Sequence, residues 1–543
     1  MIQYFDKITK KREQPLFCTF TTMKCVLTLC FSLFILHSAF SQQNDIPVNP
    51  NLTWNGEVSL AVNPVNRENL VAAWMKATGL FTVSIAISAS TDKGLTWSSP
   101  VNMPHFSSSY TSADQTLIVS GNGTFYFAYI DYNRITQADG GVYVTRSTDG
   151  GITWNTPSLA IDAASAPDIP IDRPWLAIDN SNGPYQGSLY LVTKSIKEAT
   201  ATHHIWLVRS TDSGLTWDAP RILDDPLPVG ATANTMGVPC VSSSGILYVS
   251  YLSFDISQSL HVRDVFIRSA DGGQTFTNGI ISELPFNSAI PPEDSLFQYS
   301  YHIAANPTDS NNLVHIITDR RDGDWDIWYN VSLDGGTTWS ATARLNDGPI
   351  GNGIGQDMCW GGFSPQGVYA ALWRDRRDGV TGQTSPYRIY GASSLDKGQT
   401  FSSNFALSKT LAPLFQPVSG NDFLGAFVSD STVFGIWSDA RTGQNQEFLN
   451  FHSITAASGT GMREEQFNPR IIPSLIHSSF ADINPAFLKN NLPFQIQIYD
   501  LPGQCIIRQQ NKNRIEFSDL PHGMYVVEFV CGDKRVYQKF ILD

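Results

Sequence analysis

Short runs in which apolar and polar residues alternate recur along most of the chain, as in Val83-Ser-Ile-Ala-Ile-Ser-Ala and Gly141-Val-Tyr-Val-Thr-Arg. Runs of this length and period, separated by Gly, Pro, Asn and Asp, predict half-buried strands rather than helices. They come in sets. A first strand and a second strand pair up as Val58-Ser-Leu-Ala-Val with Leu70-Val-Ala-Ala-Trp, Gln115-Thr-Leu-Ile-Val with Phe125-Tyr-Phe-Ala-Tyr, and Trp175-Leu-Ala-Ile with Leu189-Tyr-Leu-Val. The series continues with pairs at Val238 and Leu247, His302 and Leu313, Cys359 and Val368, and Leu424 and Val433. An alternating third strand follows each pair. A short fourth strand is then often introduced by proline, as at Pro100, Pro157 and Pro220.

Between the third and fourth strands the pattern Ser-x-Asp-x-Gly-x-Thr-Trp/Phe appears six times, at Asp92, Asp149, Asp212, Asp271, Asp334 and Asp396, with spacings of 57, 63, 59, 63 and 62 residues. Its chemistry is that of a hairpin turn: Asp accepts from backbone amides, Gly takes positive φ, Thr bonds back to the loop and the aromatic covers the sheet. These turns are Asp boxes, and the region from Asn55 to Ile454 resembles the bacterial neuraminidase repeat, or sialidase-like, superfamily. The resemblance implies an all-β propeller of four-stranded blades and makes the six aspartates structural, on the face away from the ligand site. Seven units favour seven blades, with six, the number in true sialidases, as the alternative. The seventh unit has no box, and the stretch Val48–Trp54 is available as its missing outer strand.

The two ends read differently. From Met23, Lys24, an apolar run from Cys25 to Leu36 and Ala39-Phe40-Ser41 form a secretory signal, so residues 1–41 are assigned to a signal peptide cut after Ser41. The propeller is then 42–454, a polar linker 455–466 and a C-terminal domain 467–543. In that tail, Phe494-Gln-Ile-Gln-Ile-Tyr-Asp-Leu-Pro-Gly503, Leu520-Pro-His-Gly-Met-Tyr525 and Lys539-Phe-Ile-Leu-Asp543 resemble the sorting domain of the type IX secretion system of the Bacteroidetes, a small β-sandwich. That resemblance implies export by the type IX machinery, to the medium or the cell surface. Four cysteines remain after Ser41, too few for a disulfide scaffold: Cys240 and Cys359 read as buried thiols, and Cys505 with Cys531 as a possible bridge.

Thirty-six Lys and Arg against 49 Asp and Glu give a net charge of −13 with no basic run, which excludes nucleic acid as a partner. No span is expected in the mature chain. Candidate chemistry lies in the loops opposite the Asp boxes. Asp319-Arg-Arg321, Asp375-Arg-Arg377 and Asp439-Ala-Arg441 repeat on three consecutive units, and their guanidinium forks either converge on one ligand carboxylate or pair with their own loop's Asp. A second ring, at the start of the first strands, comprises Glu57, Asp114, Asp172 with Arg173, Asp357 and Asp422. Of these, Arg173, Asp114, Asp357 and Asp422 join Arg321, Arg377 and Arg441 as ligand-binding candidates. The sialidase mechanism needs a Tyr nucleophile activated by Glu, an acid/base Asp and three arginines; the candidates here are Glu293 with Tyr301 or Tyr299, and the family's arginine segment before the first box is absent. No metal or cofactor is expected, since Asp322-Gly-Asp324-Trp-Asp326 lacks the rest of a calcium loop. Two readings follow: a non-catalytic module that binds a glycan or a surface protein, favoured, and a glycoside hydrolase of divergent exo-α-sialidase type.

Overall fold

The structure is a computed structural model, and it describes residues 44–49, 55–78, 82–137, 139–195, 204–224, 236–253, 259, 261–284, 300–379, 386–413, 423–454, 475–476, 480–483, 493–500, 504–518, 520–531 and 534–542. The signal peptide and linker assignments, Glu293, Tyr299 and Asp422 all lie outside the described residues. The chain divides into two compact units, residues 1–456 and 457–543.

In the first unit, seven antiparallel four-stranded sheets follow one another. Blade 1, for example, runs Asn55–Val62, Leu70–Ala77, Val83–Ser90 and Val101–Asn102 from inside to outside. The inner strands are Asn55–Val62, Tyr110–Val119, Asp172–Ile178, Val238–Val241, Tyr301–Ala305, Gln356–Phe363 and Gly425–Ser429. Each touches the inner strands of both neighbouring blades, and the last touches the first, so the ring closes with seven blades. Alternation drives the packing. Second strands such as Leu70–Ala77 and Phe125–Asn133 are buried on both faces, because each blade is covered by a blade on either side. Tyr129, Ile85 and Phe127 fill the gap between blades 1 and 2, and Trp373, Ile316 and Tyr369 that between blades 5 and 6.

Blade 7 explains its own missing turn. Its third strand, Gln446–Ser453, pairs on the outside with Ile46–Pro47 from the other end of the unit, so no covalent turn joins its third and fourth strands. The closing strand lies earlier than the expected 48–54: Ile46 and Pro47 pair with Leu449 and Phe448, and the Val48 amide donates to the Glu447 carbonyl. Asp45 sets that register, accepting from the Lys409 and Thr410 amides and from Arg441 and Asn450.

The six boxes are nearly identical. Each Ser hydroxyl donates to Asp Oδ1 at 2.8–2.9 Å, each Thr amide to Oδ1 at 2.8–3.0 Å and each Thr hydroxyl to Oδ2 at 2.5–2.6 Å. The second glycine position, Gly94, Gly151, Gly214, Gly273, Gly336 or Gly398, holds φ of 81–88°, where a side chain would be strained. The boxes also latch blades together. Asn69 of blade 1 donates to Gly150 O in the next box, Asn312 of blade 5 to Lys397 O, and Arg209 of blade 3 to Gly272 O.

The second unit has a five-stranded sheet, ordered Leu475–Ile476, Lys534–Leu542, Gly523–Cys531, Phe494–Tyr499 and Cys505–Gln510, and a two-stranded sheet of Phe480–Asp482 with Arg514–Glu516. Ile496, Ile498 and Val527 from one and Ala481 and Ile515 from the other share a core, which makes it a small sandwich. Cys505 is a free thiol, and the bridge to Cys531 is not made. The two cysteines lie on strands either side of Phe494–Tyr499, and at opposite ends of it, opposite Tyr499 and Phe494.

Candidate ligand-binding face

The turns from first to second strand share the Asp-box face, so the loops from second to third strand and from blade to blade share the other. The entry of the inner strands on that face is irregular. Blades 1, 2, 3 and 6 each break register there, at Glu57, Asp114, Arg173 and Met358, and these four non-glycine residues hold φ of 43°, 35°, 48° and 55°. A non-glycine residue in the left-handed region is costly, by about 1 kcal/mol or more, and such positions cluster where a site needs a side chain aimed. Neighbouring blades are stitched through them. The Gln115 side chain donates to Glu57 O, and the Arg173 amide donates to Asp114 Oδ2 at 3.0 Å. Asp114, Asp172 and Arg173 are half-exposed, while Glu57 is buried. Lys194 reaches Asp172 at 3.1 Å, and Tyr132 stands close enough to Asp114 and Asp172 that, after burial, their charges push its hydroxyl pKa up.

An aromatic floor lies beneath. The Arg173 guanidinium sits 5.0 Å from the ring centre of Phe423, which meets Trp175 edge-on at 5.2 Å; Trp175 stacks on Trp360 of blade 6 at 4.5 Å, and His302 of blade 5 leans on Trp360 at 4.2 Å. This stack joins blades 3, 5 and 6 and the entry to blade 7 across the axis of the ring. A guanidinium, carboxylates and exposed ring edges over an apolar floor form the usual makeup of a small-ligand site.

The three repeated arginines are loop latches. Arg321 Nε donates to Asp319 Oδ2 at 2.7 Å, Arg377 Nε to Asp375 Oδ2 at 3.0 Å and Arg441 Nε to Asp439 Oδ1 at 2.9 Å. Each fork also lies over an aromatic of the adjoining third strand: Trp328, Tyr390 or Phe448. Arg377 reaches onward to Asp347 and Asn404, and Arg441 to Asp45, so each ties two loops together. Asp357 is fully buried between Arg374 and Arg376; burial raises its pKa, and the two guanidinium groups more than offset that and hold it below the carboxylate range. Its role in the structure is to be a counter-ion. Tyr301 is also fully buried, its hydroxyl accepting from the Met236 amide at 2.7 Å and donating to the Met236 carbonyl at 2.5 Å.

Composition and spacing pointed to Asp114 and Arg173 but not to the bulges or to the Trp175–Trp360 stack. Among the described residues, no group of three His, Cys, Asp or Glu is arranged to hold a metal ion, and no helix is long and apolar enough to cross a membrane.

Residues 479–543 match the model of the secretion system C-terminal sorting domain. That domain is present in this chain, and it marks the protein as secreted or held at the cell surface. No curated protein matches the chain in sequence. Among solved structures it is similar to the Hadza microbial sialidase Hz136, at 15% identity over 70% of this chain and 76% of that one with a TM-score of 0.44. It is also similar to the NanB sialidase from Streptococcus pneumoniae, at 14% identity over 76% and 70% with a TM-score of 0.37, and to the α-L-arabinofuranosidase Arb93A from Fusarium graminearum, at 12% over 76% and 98% with a TM-score of 0.44. The propeller itself rests on the seven sheets described above.

Proposed function

We propose that this exported propeller captures a glycan, without turning it over, at the mouth of the ring on the face opposite the Asp boxes. Arg173 and Asp114 make the polar contacts, and the Phe423–Trp175–Trp360 floor supports the ligand from below. The observation that carries this reading is the left-handed backbone at Glu57, Asp114 and Arg173 on three consecutive inner strands, a cost that a purely structural ring would avoid. Absence of turnover is supported by two things. The hydroxyl of Tyr301 is held on both sides by Met236, and Arg321, Arg377 and Arg441 are committed to their own loops rather than to a common carboxylate.

A glycan array probed with the secreted protein tests it, together with a fluorogenic sialoside assay. Arg173→Ala should abolish array binding with an unchanged melting temperature, Arg377→Ala should retain it, and no sialoside should be cleaved. Cleavage lost in Tyr301→Phe would replace this reading with a sialidase; binding only to a protein partner would remove the glycan.

A further inference from the structure

The mouth does not exhaust the ring. Below the aromatic stack a separate cavity of about 300 Å³ follows the axis, walled by the inner strands of the blades from their midpoints to their ends, including Leu60, Leu117, Ile178, Gly362 and Phe427. These strands run from the mouth toward the Asp-box side, so the cavity opens on the Asp-box face. Trp175, Trp360 and His302 line its mouth-side end, and none of Glu57, Asp114, Arg173 or Asp357 lines it. Stack and cavity are thus two sides of one partition.

The lining has a definite chemistry. Among the described residues it contains no Asp, Glu, Lys or Arg, and it presents mostly apolar side chains, with Ser59 and Thr116 between them, together with the edges of the inner strands. Three side chains in it hold an enclosed polar atom without a hydrogen-bond partner, Ser59 Oγ, Trp175 Nε1 and His302 Nδ1, and of these the histidine carries a second nitrogen. His302 Nδ1 is enclosed without a partner, while the ring as a whole remains half-exposed along the cavity wall. Burial lowers its pKa to about 3, so the ring is neutral at physiological pH. A neutral imidazole carries one N–H, and placing it on Nε2 presents a donor to the cavity. Space is available too: a Cβ built on Gly362 would meet nothing within 4 Å, whereas one on the adjacent Gly361 would strike the Tyr369 hydroxyl.

We propose that this axial cavity is a second binding site, independent of the mouth, for a small uncharged molecule that pairs an apolar body with a single oxygen acceptor, entering from the Asp-box face and placing that oxygen on His302. A charged ligand is excluded, because no countercharge lines the walls and desolvating an unpaired ion is prohibitive. The volume sits at the lower end of the range for small-molecule sites, which fits a single ring or a short aliphatic chain.

Cyclohexanone serves as the probe, with cyclohexanecarboxylate and methylcyclohexane as its charged and acceptor-free counterparts. Titration of the secreted protein, followed by ligand-observed NMR saturation transfer and by the fluorescence of Trp175 and Trp360, should show saturable binding of cyclohexanone, at least tenfold weaker binding of methylcyclohexane and none of the carboxylate. Gly362→Leu should abolish it by filling the cavity, and His302→Leu should lower it to the level of methylcyclohexane. Arg173→Ala should leave it intact, which separates this site from the mouth. Melting temperatures of the two cavity variants establish folding, and cyclohexanone titrated into Ala426→Leu provides a second filled cavity if Gly362→Leu does not fold. Absence of saturable binding to the unmodified protein, or binding undiminished in a folded filled variant, overturns the proposal.

Discussion

The two faces of the ring solve opposite problems. On the Asp-box face the same four residues make the same hydrogen bonds six times, and the boxes of blades 2 to 6 each accept a bond from the blade before. On the other face no arrangement runs round the whole ring: Asp114 accepts from the next blade's backbone, Asp357 is sealed between two arginines, and only blades 5, 6 and 7 share the latch in which Asp319, Asp375 and Asp439 hold their own loops. Repetition marks what every blade needs in order to stand. A feature that occurs on only some blades has to be explained by what those blades do together, which is why the broken strand entries at Glu57, Asp114 and Arg173 carry more functional information than the six conserved-looking turns.

The sharpest way to break this contrast is to remove a single-copy element. Arg374→Met takes from the Asp357 carboxylate one of its two guanidinium partners, in a fully buried place where solvent cannot replace the lost fork. Breaking a buried pair costs about 3–5 kcal/mol. Urea unfolding of the secreted protein should show a loss of that size; a change under 1 kcal/mol would mean that the pair is solvated and the irregular face is soft.

Removing one box should cost less, because five others remain and the turn is exposed. Trp154 is half-buried rather than enclosed, touching Phe127 edge-on at 5.8 Å, so Trp154→Ala should cost roughly 2 kcal/mol, below the 3–5 kcal/mol of a fully buried aromatic. Asp149→Ala removes the acceptor for Ser147, Ile152 and Thr153 and should cost about 1–2 kcal/mol by the same measurement. Combined with a box mutation several blades away, the losses should add, since the sites share no partner.

What could be read from the chain follows the same division. The boxes, the seven units and the unboxed last blade were legible because each signal is local and repeated. The closing strand was placed late, at 48–54 rather than 46–48, because a two-residue strand has no pattern of its own and its register comes from Asp45 meeting Arg441 and Asn450 across the ring closure. The fixed offset from Asp to Arg in Asp319/Arg321, Asp375/Arg377 and Asp439/Arg441 was visible, and its regularity already matched a loop latch. The stack of Trp175 on Trp360 was not foreseen: both follow an inner-strand Asp at the same offset, Asp172/Trp175 and Asp357/Trp360, but only the closed ring brings these two blades together across the axis. Nor does any glycine announce the left-handed residues at the strand entries.

The smallest effects, and the most discriminating, are in pH dependence, where one carboxylate on each face should act with opposite sign. Asp212 in its box accepts from the hydroxyl and amide of Thr216 and from Ser210, and these bonds bring its pKa down to about 2. A carboxylate depressed by folding contributes stability above its unfolded value near 3.9, and that contribution is lost as pH falls from about 4 to about 2. Asp326, at the start of the third strand of blade 5 on the other face, is buried, and burial raises its pKa to about 6 despite the bond from Asn346 at 2.6 Å. A raised carboxylate works in reverse: the folded state holds the proton that the unfolded chain has released, so stability declines as pH rises from about 4 to about 6. Unfolding free energies measured from pH 2 to 7 should therefore show Asp212→Asn flattening the acid limb and Asp326→Asn flattening the limb between pH 4 and 6. If Asp326→Asn leaves that limb unchanged, the carboxylate is ionised in place, and the mouth face stores less unfavourable burial than its geometry implies.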